Sequence, residues 1–550
     1  MIMNTEDFLC TALNPTSIWR ITMPIWNRQD VLISAWKRDW YKFLEKRCTQ
    51  RILIVTDTSG SFDPANSTGL TELIRVLKGS GDVPAAVPAT VTEVSKASGF
   101  NFSTASPAVT TANYDQVWLF GFQAGAPSSD ANEIRVLAQF MESGGGVFAT
   151  GDHSTIGNPL CGALPRIRKM REWAAVPMGG PTRIDTVNNP GIDGVARSSD
   201  QSDRFPQTMY PLLDASSAPH PLLRSPAGAI NVLPDHPHES ECYALLGANL
   251  TGSFSVAGLA PFTEFPTVGG LENGPQLVAI SMSASLNVDP GKGAVNPRCF
   301  GAISAYDGHL ANKGRVVCDS TWHHFVNMNL NASNPYGDSG LREGTPLAAN
   351  AAYKQIQRYF ANIADYLTPK NRKWCRIFDM IAVELFDYPI WEEIVVLPEP
   401  PRPFPDFPEW PRAIELGKLV KASLSEKFGN GAFDGLIEDV LDVAETGEEV
   451  RFAINNNLRL LTSQNKERSM KHYDDPVGIE ELKLGLIGRV FLALKAQLPN
   501  NPEELPKSAE RLHDSGAKLL GEIVAKGLAE GIKYREMRYR RDLELINTLR

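Results

Sequence analysis

The sequence is poor in the residues that mark secreted, zinc-knuckle and membrane proteins. Its 550 residues hold seven cysteines (Cys10, Cys48, Cys161, Cys242, Cys299, Cys318 and Cys375), widely spread and without a C-x-x-C pair. That pattern fits reduced thiols better than a disulfide framework or a zinc knuckle. No stretch of about 18 apolar residues occurs, which excludes an ordinary transmembrane helix. The beginning, MIMNTEDFLCTALNPTSIWR, has no basic segment followed by an uninterrupted apolar one, so no secretory signal is read and a cytoplasmic location is expected. A basic excess is missing too: Lys and Arg number 54 against 63 Asp and Glu, a net charge of −9, which argues against a general nucleic-acid binder. The sequence carries no G-x-S-x-G elbow, no G-x-x-x-x-G-K-[ST] loop, no H-E-x-x-H, and no H-x-E with a later C-x-x-C. VTDTSGSF (55–62) lacks a phosphate loop's lysine, although its backbone N–H groups could still receive an anion.

Ordinary globular composition is present instead: 43% hydrophobic and 21% charged residues predict a packed core. The length suggests two to four domains. Residues 1–50, with Trp19, Trp26, Trp36 and Trp40, read as an aromatic, partly helical layer on the following domain. From Arg51 the chain alternates. RILIVTD (51–57), YDQVWLFGF (114–122), GVFATGD (146–152), QLVAISMSA (276–284) and GRVVCDST (314–321) read as buried strands. LTELIRVLKG (70–79), 128–146 and about 346–367 read as helices. The alternation predicts an α/β domain over 51–370, a mainly parallel sheet with helices on both faces. A Pro- and Gly-rich insertion over about 158–275 is placed to wall the carboxyl edge, where such sheets hold ligands.

Residues 371–411 form a connector ending in PEPPRPFPDFPEWP (398–411), seven prolines in fourteen positions and hence a stiff spacer. Residues 412–550 read as an all-α domain: Ile487, Val490, Phe491 and Leu494 keep helical spacing, as do Leu520, Val524 and Leu528. The last segment predicts one helix of up to about 45 residues, roughly 65 Å long, which invites a protein partner or self-association.

Histidine is scarce: nine occur, five of them in three clusters. Asp152-His153 ends a strand; LPDHPHESECY (233–243) carries His236, His238, Glu239 and Glu241; CDSTWHHF (318–325) carries Asp319, His323 and His324. In a parallel sheet the first and third clusters share the carboxyl edge, and the second could fold over it. His236 and His238 point the same way if extended. Three readings stay open: a divalent-metal site, a metal-free acid/base site, and a structural hydrogen-bonded network. The metal version uses His236, His238 and Glu241, with His153 or His323, to hold an ion such as Zn²⁺ that activates water. The metal-free version makes His153 or His323 the base, oriented by a neighbouring carboxylate among Asp152, Glu239 and Asp319, with His324 beside it. His220, His309, His472 and His513 stand alone and read as surface or core residues. Cys161 would need an electropositive setting to react.

The order RILIVTD, YDQVWLFGF, ESGGGVFATGDH and GRVVCDSTWHHF resembles the class I glutamine-amidotransferase-like superfamily, nearest its trehalose-utilisation (ThuA-like) branch. Tyr114-Asp115, Gly144-Gly145-Gly146, His153, and Gly314–Val317 followed by His323 or His324 fill the matching places, over residues 51–370. The resemblance implies a flavodoxin-like sheet but does not choose between a distinct hydrolytic site and a specialised binding pocket; the His, Asp and Glu clusters, if they line one cleft, point to a hydrolase-like enzyme acting on a polar, sugar-like small substrate. Where amidotransferases carry a nucleophilic cysteine, this chain reads Thr150-Gly-Asp-His-Ser154, so glutamine hydrolysis through a thioester is not expected. A non-catalytic scaffold that binds partners through its helical tail is the alternative, and a ligand sensor a third reading.

Overall fold

The computed structural model describes residues 49–83, 89–152, 155–174, 189–190, 196–197, 206–213, 219–234, 241–268, 270, 272–283, 298–330, 341–343, 348–374, 377–378, 380–381, 409–428, 432–444, 476–497 and 505–549. The N-terminal aromatic layer and the proline-rich linker lie almost wholly outside them.

The apolar segments form one eight-stranded sheet. Its strands are β1 (Gln50–Thr56), β2 (Ala89–Ser95), β3 (Gln116–Phe120), β4 (Gly146–Thr150), β5 (Tyr210–Pro211), β6 (Gln276–Ser283), β7 (Arg298–Tyr306) and β8 (Val316–Asp319), in the spatial order β2-β1-β3-β4-β8-β7-β6-β5. The first five are mutually parallel and the last three antiparallel. Sequence reading does not anticipate β2 or β7. The alternation of ATVTEVS in β2 is that of an edge strand with one half-open face.

Side chains alternate across the pleat into two cores. Ile52, Ile54, Trp118, Phe120 and Phe148 pack on one face with α3 (Ala351–Leu367). Leu53, Val55, Val117, Leu119 and Val147 pack on the other with α2 (Ala131–Glu142). The sheet is thus covered on both sides. Asp130 starts α2, accepting from the N–H groups of Asn132 and Glu133 while Glu133 accepts from its own N–H. α1 (Thr71–Arg75) is shorter than its periodicity predicts, because the helix widens to a π turn at Val76–Ser80 around Gly79. Within 158–275 the described residues form short turns, two-residue strands and one hairpin, Ser253–Val256 with Leu259–Thr263.

A third core belongs to the C-terminal helices α4 (Trp410–Phe428), α5 (Ala432–Val443), α6 (Pro476–Gln497) and α7 (Leu505–Leu549). Helix α6 is apolar on most sides and runs close against α4: a Cβ on Gly488 would stand 1.8 Å from the Ala413 carbonyl oxygen. This helical part meets the sheet through buried charge. Lys373 Nζ lies 2.6 Å from Asp439 and 2.7 Å from Asp442, and Asp442 also takes His309 Nδ1 at 3.1 Å. Arg315 completes the seam, paired with Asp307 at 2.9 Å and set over the Tyr366 ring. A cavity of about 30 Å³ beside it, lined by Asn362, Asp365, Glu438 and Asp439, has room for a water. None of the described helices is long and apolar enough to cross a membrane.

Candidate functional site

Three of the five parallel strands end in aspartate: Asp57 after β1, Asp152 after β4 and Asp319 at the end of β8. All three are buried. Because β4 and β8 are neighbours, with Asp319 paired to Thr150, their terminal groups come side by side.

At the end of β4, Asp152 N–H donates to the Ile156 carbonyl (3.2 Å), closing a tight loop. The return of that loop needs glycine: a Cβ on Gly121 would stand 2.2 Å from Gly157 Cα, and Gly157 itself holds φ +87°. At the end of β8, Thr321 caps the turn Trp322–His324, its Oγ1 accepting from His323 N–H and donating to Asp152 Oδ1 at 3.1 Å. Trp322 N–H donates to the Gly151 carbonyl (2.8 Å), a second tie between the two strand ends.

These ties set His323 Nε2 3.4 Å from Asp152 Oδ2. The His323 side chain retains 19% of its exposure, whereas the Asp152 side chain retains 2%. Trp322 stacks on the imidazole at 4.0 Å and 18°, and Phe122 from the end of β3 lies 5.1 Å from Trp322. The Trp322 Nε1–H is buried and has no hydrogen-bond partner among the described residues.

The adjacent histidine has a different surrounding. His324 is fully buried, with Nδ1 2.7 Å from Asp319 Oδ1, and Tyr359 from α3 donates its hydroxyl to Asp319 Oδ2, also at 2.7 Å. Burial first, and the neighbouring Asp319 next, push the Tyr359 phenol well above its ordinary range, so it stays a donor. His324 Nε2 is buried without a hydrogen-bond partner among the described residues.

Beneath both strand ends lies Arg171, 1% exposed. Its guanidinium donates to the carbonyls of Asp319, Ser320, Asp152 and Glu172 and rests 4.3 Å over the Trp173 ring. Five planar N–H donors suit this role, which a lysine could not fill. At the crevice where the strand order reverses, between β1 and β3, Asp57 accepts the N–H groups of Phe122 (2.7 Å) and Gln123 (3.0 Å). Burial outweighs those two bonds and raises its carboxyl to about 6. Asn327 joins the loops over this edge, donating to the Asn66 carbonyl and accepting from Glu72 N–H and the Thr71 hydroxyl.

Of the residues the sequence singles out, Asp152, Asp319, His323 and His324 therefore meet at the carboxyl edge. His153, His236, His238 and Glu239 lie outside the described residues. Glu241 lies in a strand-like segment beside β7: its carbonyl accepts from Glu172 N–H, and the next residue, Cys242, donates to Gly301. Among the described residues no group of three or more His, Cys, Asp and Glu side chains is arranged to hold a metal ion. Cys161, Cys242 and Cys318 are buried, and burial pushes all three thiols up, away from thiolate chemistry.

Arg171 and Asp57 are the residues that sequence reading passes over. Asp57 carries the same signal as Asp152 and Asp319, an aspartate closing an apolar strand. Arg171 sits among Arg166, Arg168 and Lys169; Arg166 turns inward too, toward Glu142 and the Glu264 carbonyl, and nothing in that basic cluster marks which one reaches the strand ends. No family model and no curated protein matches this chain.

Proposed function

We propose that the carboxyl edge between β4 and β8 is the active site of a hydrolase-like enzyme acting on a polar, sugar-like small molecule. It would stand on a flavodoxin-like, amidotransferase-related sheet. The spatial order of the five parallel strands supports that frame: the chain leaves β1 for β2, returns to β3 on the other side, and continues through β4 to β8. The observation that carries the activity is the half-buried His323, held 3.4 Å from the buried Asp152 at that edge.

In this reading Asp152 orients the His323 ring through Nε2. The imidazole takes a proton from water as the water oxygen bonds to the electrophilic carbon. The imidazolium then returns the proton to the departing group, so the cycle closes without a protein nucleophile. Trp322 holds the ring plane, Thr321 holds the carboxylate, and Arg171 fixes the two strand ends against each other. Asp319, His324 and Tyr359 form the buried support behind them.

The test is hydrolysis by the full chain of p-nitrophenyl glycosides, esters and amides, followed by His323→Ala. General acid/base catalysis contributes roughly 10²–10⁴ in rate, so the variant should lose at least ~10²-fold while its unfolding transition stays in place. Hydrolysis that survives His323→Ala, or no turnover in any substrate class, would reject the reading.

A further inference from the structure

We propose that the row of rings formed by Phe122 and Trp322 beside His323 is a binding wall for an aromatic ring on the substrate's departing group, with Phe122 as its specificity-determining residue. The inference rests on the carboxyl edge being the hydrolytic site, and it narrows the substrate to a polar molecule that releases an aryl-bearing group. Its first support is where the sheet leaves apolar surface open. Among the described residues, four of the seven apolar side chains left partly covered at the rim of the core under α3 are Phe62, Phe122, Trp322 and Met328. All four stand on the loops that follow β1, β3 and β8, the edge where such a sheet receives ligands.

The second support is the order of the rings. Trp322 stacks on the His323 imidazole at 4.0 Å and 18°, and Phe122 meets Trp322 at 5.1 Å and 51°. Phe122 also lies nearly parallel to the fully buried Phe120, two residues back on the same face of the strand, at 6.5 Å and 17°. The row therefore runs from the core to the half-buried base without a break. Its backbone is pinned as well: Asp57 accepts Phe122 N–H at 2.7 Å, and Gly121 just before it lies against Gly157, where a Cβ would stand 2.2 Å from Cα. A ring that docks here meets a preformed surface, so little side-chain ordering offsets the contact.

The chemistry of the wall selects the ring. Phenylalanine offers no hydrogen bond, and the one polar side-chain atom of Trp322, Nε1, is buried. A pyranose laid here would give up water at hydroxyls that the wall cannot partner. An aromatic ring has no hydroxyls to lose and gains offset or edge-on contacts with its neighbours. The side of the scissile bond follows from the proton. His323 returns it to the departing group, so that group lies against the imidazole that ends the row, and the ring belongs to it.

The experiment gives the full chain matched substrates that differ only in the departing group, benzyl against cyclohexylmethyl on the same glycoside, ester or amide. The two groups are close in size and apolarity, so the comparison isolates the flat ring. KM for the benzyl member should be roughly 3–10-fold lower. Phe122→Leu keeps an apolar side chain without a ring face and should erase that preference, while Phe122→Trp should retain it; melting curves check that both variants fold. Equal KM values within every pair, or a preference that survives Phe122→Leu, would overturn the inference and leave the hydrolytic reading standing, since turnover would still be seen. No turnover in any pair overturns it too, and the hydrolytic reading is then judged separately by the p-nitrophenyl series with His323→Ala.

Discussion

Asp152 Oδ2 and His323 Nε2 stand 3.4 Å apart across the junction of β4 and β8, one side chain buried and the other reaching solvent. The pairing depends on Thr321, which bonds to both ends of it. Asp152→Asn preserves the shape and the hydrogen bond from Thr321 but removes the charge beside Nε2. Activity on any substrate found for the chain should fall in kcat by about 10²–10⁴-fold, with KM changed only a few-fold. A kcat within threefold of wild type would remove Asp152 from the chemistry.

The pair behind it makes a claim on stability. Tyr359 is fully buried and its hydroxyl serves Asp319 Oδ2 at 2.7 Å, opposite His324 on Oδ1. Tyr359→Phe keeps the ring and deletes only the donor, leaving a buried carboxylate oxygen short of a partner. The cost should be about 1–3 kcal/mol, read as a lower urea midpoint at unchanged m value. A shift below ~0.5 kcal/mol would show that Asp319 finds another donor.

How much of this was legible follows from how each signal is written. β1, β3, β4 and β8 are short runs with an apolar centre, and β1, β4 and β8 are closed by Asp within two residues, so both their existence and the shared edge of Asp152, Asp319 and His323 could be read. β2 hides because an edge strand with one half-open face is polar at alternate positions. The separation of His323 from His324 was equally hidden. Adjacent residues on one short turn diverge, and only the cap by Thr321 and the bond to Asp319 decide which is buried. Arg171 could not be found, since its partners are backbone carbonyls, which leave no mark on sequence. The place of Glu241 beside β7 depends on backbone pairing with Glu172, invisible for the same reason.

Asp57 gives a pH signature. Its carboxyl rises from 3.8 to about 6 because burial outweighs the N–H groups of Phe122 and Gln123. A carboxyl whose folded value is raised binds more protons folded than unfolded between those two values. Its contribution is therefore fully present below pH ~4 and lost as pH rises through ~6, to the extent of about 3 kcal/mol. Asp57→Asn removes this titration. The difference in unfolding free energy between wild type and variant should move in the variant's favour from pH 4 to pH 6 and then level off. A difference that stays flat across that range would place Asp57 at an ordinary carboxylate value.

The charged seam between sheet and helices should weaken in acid. His309 is buried against Asp442; burial first, then Arg315 and Lys373, hold its imidazole well below the usual 6.5. A depressed histidine contributes stability that is present above pH 6.5 and is lost as pH falls toward the folded value. The slope is at most about 1.4 kcal/mol per pH unit. His309→Gln keeps a donor for Asp442 and does not titrate, so its stability should decline less than wild type between pH 6.5 and 5. Asp442 is the sharper probe, because Lys373 Nζ at 2.7 Å and His309 Nδ1 at 3.1 Å both depend on it, with Arg315 Nη2 at 3.6 Å. Asp442→Ala leaves the fully buried Lys373 with Asp439 as its remaining carboxylate at 2.6 Å. Breaking a buried pair costs about 3–5 kcal/mol, so the variant should melt in two steps, with the helical part released first. If it melts in one step close to the wild-type temperature, the seam does not hold the two parts together and the apolar contacts around Trp374 must.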